Sequence, residues 1–136
     1  MGLTENFPIA FIPTQKPGEA REFYEKTLGL RFESADQFAT VFRLGPPPGI
    51  MLRLTPVPDL PERPFTLTPR PFTEFGWQVD DIVASVKELA AKGIKFERYD
   101  FLQQDELGIW LSPIQVKVAW FKDPDGNTLS LSQHPV

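Results

Sequence analysis

The sequence contains no cysteine and only one histidine, His134, among its 136 residues. Without cysteine the chain has no disulfide framework, no thiolate nucleophile and no zinc–cysteine site. With a single histidine, a site that takes two imidazoles from one chain, such as a two-histidine iron site, is excluded. We expect His134, two residues before the last one, to be exposed rather than part of a serine–histidine–aspartate triad.

Basic clusters, long apolar runs and glycine-rich phosphate loops are absent as well. The chain has 14 Lys and Arg against 18 Asp and Glu, a formal net charge of −4, and no segment concentrates the positive charge that binds nucleic acid. No run approaches the ~20 apolar residues of a membrane span. Residues 1–6 lack the basic and apolar regions of a signal peptide. We therefore expect a soluble, cytoplasmic protein with no nucleic-acid or membrane partner.

The sequence does contain an internal repeat. A strand pattern, a helix pattern and a Gly-led strand occur twice in the same order, in a chain whose hydrophobic share of 41% is typical of a globular domain. The matching residues, 64 positions apart, are Phe11 and Phe75, Gly29 and Gly93, and Phe32 and Phe96. Each half also ends in a further strand, led by Gly49 or Gly126, 77 positions apart. The repetition favours a duplicated module.

Two segments have the periodicity and the end signals of helices. The first covers residues 17–28, where Pro17 suits the first turn and Gly29 the end. The second covers residues 81–92, with Asp80 or Asp81 as its N-cap. Strand patterns lie at residues 8–14, 30–34, 38–44, 49–55, 73–79, 94–99, 116–121 and 127–132. The chain is thus predicted to repeat the order strand, helix, strand, strand, strand.

A proline-rich segment separates the two copies. Six prolines lie between residues 56 and 71, and proline interrupts both helices and interior strands. We predict a single domain in which module one covers about residues 7–55, an extended connector about 56–72 and module two about 73–133. A second irregular stretch, from about residue 100 to 113, is long enough to cover a site.

Three motifs follow one another along nearly the whole chain, at residues Phe23–Leu30, Val79–Ile82 and Phe121–Asn127. Their sequences are FYEKTLGL, VDDI and FKDPDGN. They resemble the FY…LGL, VDDI and F-x-DPDGN signatures of the vicinal-oxygen-chelate superfamily, the glyoxalase/bleomycin-resistance/dioxygenase group. Each motif alone is weak, since Asp-Pro-Asp-Gly is a common tight turn. Their order and spacing identify the chain as a member of this superfamily.

The resemblance implies a fold and four places for metal ligands. The fold is α+β, with two βαβββ modules forming a curved mixed sheet, a concave pocket and helices on the outer face. By analogy we expect a homodimer. The ligand places, on the first and last strand of each module, fall on Ile9, Arg53, Glu74 and Ser130. Isoleucine offers no lone pair and arginine brings a repelling charge, so we predict a member without metal or other cofactor.

Strand alternation assigns the neighbours of these places to two faces. The face that includes the four places is mixed in character and comprises Ile9, Phe11, Pro13, Met51, Arg53, Glu74, Gly76, Gln78, Thr128, Ser130 and Ser132. The opposite face is wholly apolar and comprises Ala10, Ile12, Leu52, Leu54, Phe75, Trp77, Val79, Leu129 and Leu131. We expect the apolar face under the helices. The mixed face can be merely solvated, but enclosure by a curved sheet favours a pocket.

The predicted ligand-binding residues come from the mixed face and from the second irregular stretch. They are Phe11, Met51, Arg53, Glu74, Gln78, Trp110 and Ser130. No catalytic residue is assigned. We predict that Arg53 and Glu74 form an ion pair within about 4 Å, which either holds the modules together or orients a ligand oxygen. Trp110 suits a lid or a subunit interface, whereas Trp120, in a strand pattern, is expected in the core.

Two functions remain open at this point. A binding protein similar to the bleomycin-resistance branch would hold a planar or aromatic small molecule without chemistry. The missing metal ligands, the acidic balance and the 12 Phe, 3 Trp and 2 Tyr residues favour this function. A lyase, isomerase or dioxygenase relative would act on a small carbonyl or aromatic substrate. It would need a metal elsewhere or acid–base chemistry by Glu74.

Overall fold

The computed structural model describes residues 2–135, and the chain divides into two compact units with a boundary between Thr68 and Pro69. Each unit has the chain order strand, helix, strand, strand, strand, and its four strands form one mixed sheet. The predicted α+β class with two βαβββ modules is therefore confirmed. None of the helices within the described residues is long and apolar enough to cross a membrane.

The first unit is a four-stranded sheet preceded by a short 3₁₀ turn, Leu3–Glu5. Its strands are β1 (Ile9–Thr14), β2 (Arg31–Ala35), β3 (Thr40–Leu44) and β4 (Ile50–Pro56). Their order in the sheet is β1-β4-β3-β2, with β1 parallel to β4 and the other pairs antiparallel. The register sets Ile9 beside Met51 and Phe11 beside Arg53. Paired residues share a face, so these four side chains lie together on one side.

The helix of the first unit changes its winding near its end. Helix α1 (Pro17–Glu22) begins with proline in its first turn, as predicted, and continues as a π turn over Phe23–Thr27. There the N–H of Leu28 donates to the carbonyl of Phe23, five residues back, at 2.9 Å. Gly29 follows with a φ of 76°, a backbone conformation that glycine adopts without steric cost. The predicted helix thus forms, with a wider last turn.

The core of the first unit lies on the face predicted to be apolar. Ile12, Leu52 and Leu54 expose at most 1% of their surface. The Tyr24 and Phe42 rings, both fully buried, complete this core with centroids 6.2 Å apart. Aromatic pairs at this separation stabilise a fold by about 0.5–1.5 kcal/mol beyond the area they bury.

Gln15 ties the proline-rich segment to the first unit. Its Nε2 donates to the carbonyls of Val57 and Phe65, at 3.0 and 2.7 Å, and its Oε1 accepts from the N–H of Leu67 at 3.0 Å. One side chain thus satisfies three backbone groups that have no strand neighbour. The segment follows a defined path with no regular element beyond an isolated bridge between Leu60 and Arg63.

The second unit repeats the arrangement of the first. Its elements are β5 (Thr73–Gln78), α2 (Ile82–Ala91), β6 (Trp110–Leu111), β7 (Lys117–Lys122) and β8 (Thr128–Gln133). The sheet order is β5-β8-β7-β6, with β5 parallel to β8. The Asp81 carboxylate caps α2 by accepting from the N–H of Ala84 at 3.1 Å. Gly93, with a φ of 97°, follows the helix, as the sequence predicts.

The core of the second unit is formed by alternate residues of β7 and β8. Ala119 and Phe121 on β7 and Leu129 and Leu131 on β8 expose at most 4% of their surface. The Phe96 ring joins them, with its centroid 5.6 Å from that of Phe121. The remaining residues of the predicted apolar face, Ala10, Phe75, Trp77 and Val79, are half-buried.

The strand predicted at residues 94–99 does not form. Its backbone is partly satisfied by a side chain instead of a strand partner: Gln104 Oε1 accepts from the N–H of Tyr99, and Gln104 Nε2 donates to the carbonyl of Glu97. Trp110–Leu111, inside the stretch predicted to be irregular, pairs with Val118 and Lys117 of β7. The segment predicted as a strand keeps a bond to β7, from the N–H of Glu97 to the carbonyl of Trp120 at 2.8 Å. The strand prediction was wrong because the Gln104 side chain, five to seven residues away in sequence, competes with the sheet for other backbone groups of this segment.

Candidate ligand-binding site

A pocket of about 480 Å³ opens on the second unit, within the size range of small-molecule sites. Each strand of the second sheet contributes to it, through Thr73 on β5, Trp110 on β6, Trp120 and Lys122 on β7, and Thr128 on β8. The register pairs Lys122 with Thr128 and Thr128 with Thr73. These side chains therefore line one face of the sheet.

Five aromatic residues line the pocket, and four of them pack against one another. Trp120 stands at the centre, with the Tyr99 ring edge-on at 5.5 Å and the Trp110 ring tilted by 34° at 6.0 Å. Phe101, 82% exposed, packs on Tyr99 at 5.6 Å. The Trp120 indole is held by a hydrogen bond from its Nε1 to Thr73 Oγ1 at 3.0 Å. This orientation leaves partly exposed ring surface that can contact a planar molecule.

The position of Trp120 differs from the one expected from the sequence, which was the core. It is half-buried and lines the pocket, so the expectation that it belongs to the core was wrong. Its neighbours Ala119 and Phe121 are fully buried, and side chains alternate along a strand. That alternation was the signal in the sequence that placed Trp120 on the other face.

Burial also affects the hydroxyl of Tyr99. Desolvation raises the pKa of the Tyr99 phenol, and the charge of Glu97 raises it further. The phenol therefore stays protonated at neutral pH, where it can donate a hydrogen bond to a ligand.

Glu74 lies at an irregularity of β5. Thr73 pairs with Thr128 and Phe75 with Leu129, so Glu74 is an extra residue between two consecutive partners. Such a bulge breaks the alternation of the strand. As a result Thr73, rather than Glu74, lines the pocket.

The Glu74 carboxylate is bound by Arg70, a residue that the sequence analysis did not single out. Arg70 Nε donates to Glu74 Oε1, and Arg70 Nη2 donates to Asn127 Oδ1 at 2.6 Å. The hydrogen bond to Glu74 raises the pKa of the guanidinium above its usual value, against the opposing effect of burial. The spacing of four residues between Arg70 and Glu74 was a weak signal, hidden by the prolines around it.

A buried turn fixes the other partner of Arg70. Asn127, 1% exposed, donates from its Nδ2 to Asp123 Oδ2 at 2.8 Å, and its backbone N–H donates to Asp123 Oδ1 at 2.9 Å. The Asp-Pro-Asp-Gly-Asn turn is therefore more than a chain reversal. It holds the amide oxygen that receives Arg70 beside the pocket.

Lys122 is the second cation of the pocket. Its Nζ donates to Thr128 Oγ1 at 2.7 Å. Within the described residues it has no carboxylate partner within ion-pair distance. The ammonium thus carries a positive charge, fixed by one hydroxyl, on the same face as Trp120.

The remaining predicted site residues of the second unit lie on β5 and β8. Ser130 is half-buried opposite Gly76, and Gln78 is exposed beside Ser132. A Cβ added to Gly76 would clash with Ser130 Oγ and lie 2.9 Å from the Ser130 carbonyl oxygen. Glycine at this position therefore permits the close approach of Ser130.

The predicted residues of the first unit form a surface of their own. Phe11 is 63% exposed, and Met51 and Arg53 are half-buried on the same face. Within residues 2–68, Arg53 has no ion-pair partner. The predicted pair between Arg53 and Glu74 would join the two units and stays a prediction, although Glu74 already has Arg70 as a partner.

The four inferred metal places do not fit a divalent cation. Ile9 has no donor atom, Arg53 is cationic, and the Glu74 carboxylate is engaged by a guanidinium. Ser130 offers only a neutral hydroxyl. Among residues 2–135, no three His, Cys, Asp or Glu side chains come together as a metal-binding group. We derive no chemistry from a metal at these places.

Comparison with known proteins agrees with this architecture. The model of the Glyoxalase/Bleomycin resistance protein/Dioxygenase superfamily matches residues 7–131. The solved structure of UcmS2 is 19% identical to this chain, with a TM-score of 0.72. The alignment covers 93% of this chain and 96% of the UcmS2 chain. Lactoylglutathione lyase from Agrobacterium tumefaciens is 16% identical, with a TM-score of 0.69, over 95% of this chain and 93% of its own.

A third similar structure is a member of the glyoxalase/bleomycin resistance protein/dioxygenase superfamily from Sphaerobacter thermophilus. It is 21% identical, with a TM-score of 0.68, and covers 95% of this chain and 97% of its own. At these identities the structures share the fold, and fold alone does not determine function. No curated protein sequence matches the chain significantly.

Proposed function

The chain belongs to the glyoxalase/bleomycin resistance protein/dioxygenase superfamily, and from this membership we propose that it is a metal-free binding protein for a planar or aromatic small molecule. The proposed site is the pocket of the second module. The observation that carries the proposal is the cluster of Trp110, Trp120 and Tyr99 around a cavity of about 480 Å³. Partly exposed rings held in fixed orientations favour stacking on a flat ligand.

The chemistry of the inferred metal places supports a function without metal. Two of the four, Ile9 and Arg53, cannot donate a lone pair to a cation. The polar groups of the pocket are hydroxyls and cations rather than the imidazoles and carboxylates that bind metals. Binding by ring contact and hydrogen bonds needs none of these ligands.

An enzymatic function of the same superfamily is the second candidate. Its best acid–base group is Glu74, on a small carbonyl or aromatic substrate. The bond from Arg70 occupies Oε1 of this carboxylate, and the side chain does not line the pocket. Both facts disfavour proton transfer by Glu74. Turnover of an aromatic carbonyl compound that Glu74→Gln abolishes would favour the enzyme.

Further contacts are proposed on both modules. In the second, Ser130 and Gln78 extend the face that carries Trp120, because Trp120 pairs with Ser130 and Ser132 with Gln78. For the first module, we propose that Phe11, Met51 and Arg53 provide ligand contacts. The Arg53 guanidinium, which has no ion-pair partner within residues 2–68, lies beside an exposed ring and suits an oxygen-bearing planar molecule. A homodimer and a cytoplasmic location complete the proposal.

Isothermal titration with two probes of equal size, 2-naphthoate and 2-naphthamide, tests the proposed binding. At about −0.4 kcal/mol per non-hydrogen atom, a ligand of about 13 such atoms reaches a Kd of about 0.2 mM. Trp120→Leu should weaken both probes about tenfold through the lost ring contact. Trp77→Phe, outside the pocket lining, serves as the matched control. If neither probe binds, or if both variants weaken binding equally, the proposed site is wrong.

A further inference from the structure

We propose that the pocket of the second module selects acidic aromatic molecules, and that the Lys122 ammonium recognises their carboxylate. This inference rests on the proposed function, because it names the chemical class that the same site takes. It adds a specificity-determining residue and a charge requirement, neither of which follows from aromatic stacking alone.

The lining of the pocket is positively charged. Two cations, Arg70 and Lys122, line the pocket, and none of the described lining residues is an Asp or Glu. The chain as a whole has the opposite balance, with a net charge of −4. A positive pocket on an acidic protein is a local feature. It raises the affinity for anions and lowers it for cations.

The two cations differ in how far they are neutralised. Arg70 binds the Glu74 carboxylate and the Asn127 amide oxygen, so a carboxylate compensates its charge and two of its nitrogens already have acceptors. Lys122 has a neutral partner, the Thr128 hydroxyl at 2.7 Å. An ammonium has three donors, and this bond leaves two of them for a ligand. Lys122 is therefore the cation whose charge a ligand can neutralise.

Lys122 lies on the same face of the sheet as the aromatic rings. Lys122 follows Trp120 by two residues on β7, so both side chains leave the same face about 7 Å apart along the strand. Trp120 packs against Tyr99 and Trp110. A flat ring lying on this cluster would carry a substituent at its edge towards the ammonium. A carboxylate attached directly to an aromatic ring has this shape and charge.

The Thr128 hydroxyl keeps the ammonium in place. Thr128 is 3% exposed, and its Oγ1 also approaches the Arg70 carbonyl at 3.4 Å. A lysine held by a buried hydroxyl loses less side-chain freedom on binding than a mobile surface lysine does. This arrangement distinguishes Lys122 from a cation that is merely solvated.

The test compares 2-naphthoate with 2-naphthamide, which share one ring system and differ in charge. Calorimetry at low ionic strength should give a Kd about tenfold lower for the naphthoate, the lower end of what a hydrogen bond to a charged group contributes. Lys122→Met should weaken the naphthoate about tenfold and leave the naphthamide within about twofold. Lys122→Arg should restore most of the preference, and added salt should reduce it.

Lys87→Met is the matched control, because Lys87 is an exposed residue of α2 outside the pocket lining. It should leave both affinities unchanged. Circular dichroism melting verifies that each variant is folded. Equal affinity for the two probes in the unmodified protein, or equal weakening of both by Lys122→Met, overturns this inference and leaves the proposed function standing. Failure of both probes to bind overturns the proposed function and the inference with it.

Discussion

Replacing Arg70 by methionine should destabilise the second module, because it leaves the Glu74 carboxylate without its cation. The side chains of Glu74 and Arg70 are 11% and 27% exposed, so the pair lies between a surface ion pair and a buried one. Surface pairs contribute about 0–1 kcal/mol. Breaking a buried pair from one side costs about 3–5 kcal/mol. For this partly buried pair we expect a loss of about 2 kcal/mol in the free energy of unfolding.

The Asn127 amide adds to this loss. Arg70→Met removes the donor to Asn127 Oδ1, and the loss of one hydrogen bond costs about 0.5–1.5 kcal/mol. Glu74→Gln retains a neutral acceptor for Arg70 and should cost about 1 kcal/mol. The double variant Arg70→Met with Glu74→Leu should be more stable than Arg70→Met alone, since it removes the unpaired carboxylate.

Urea unfolding followed by circular dichroism at neutral pH measures these differences. Arg21→Met is a suitable control, because Arg21 also pairs with a glutamate four residues later but is 45% exposed. Its guanidinium also lies 3.9 Å from the centroid of the Phe32 ring, so this variant should lose about 1 kcal/mol or less. If Arg70→Met costs no more than this control, or if the double variant is the least stable of all, the reasoning about an unpaired carboxylate is refuted.

Four further predictions follow from the structure. Gly76→Ala should lower the free energy of unfolding by about 1–3 kcal/mol, because the new Cβ meets the Ser130 carbonyl oxygen at 2.9 Å; a neutral urea midpoint would contradict this packing. Since the pKa of Tyr99 is raised in the fold, the folded state holds that proton more tightly, so this stabilisation is complete below the ordinary pKa of 10.0 and is lost as the pH rises through the higher folded value. Tyr99→Phe should remove this alkaline loss in pH-dependent melting, and an identical profile would speak against it. Elemental analysis after dialysis should find no stoichiometric Zn, Ni, Fe or Mn, whereas one-to-one uptake abolished by Glu74→Ala would show a metal site. Sedimentation at tens of micromolar should show a homodimer, and a monomer at all concentrations would exclude that assembly while leaving the fold unchanged.

The local sequence was sufficient to predict the two modules and most of their helices and strands. Pro17 at the first turn of α1 and the Asp81 cap of α2 stand where the sequence predicts them. The three motifs led to the superfamily that the match over residues 7–131 shows. These features depend on spacing along the chain: helix ends need particular residues at fixed positions, and repeats are visible as offsets.

The candidate site was only partly predictable. Trp110 was identified as a candidate, and it lines the pocket. Trp120 was assigned to the core, although the alternation with Ala119 and Phe121 held the information to place it on the other face. Arg70 was missed because it lies among prolines, and the importance of its bond to Asn127 depends on a contact across 57 residues of sequence.

The sequence by itself determined the duplicated α+β architecture, the absence of thiol chemistry and the unsuitability of Ile9 and Arg53 as metal ligands. Only the tertiary structure decided that the Gln104 side chain binds the Tyr99 N–H and the Glu97 carbonyl, and that a bulge at Glu74 turns Thr73 towards the pocket. The physical reason is the range of the interactions. Periodicity and end signals act between neighbours in sequence, whereas a bulge depends on how two strands pair, and a side-chain bond to the backbone depends on which groups compete for the same hydrogen bond in the folded chain.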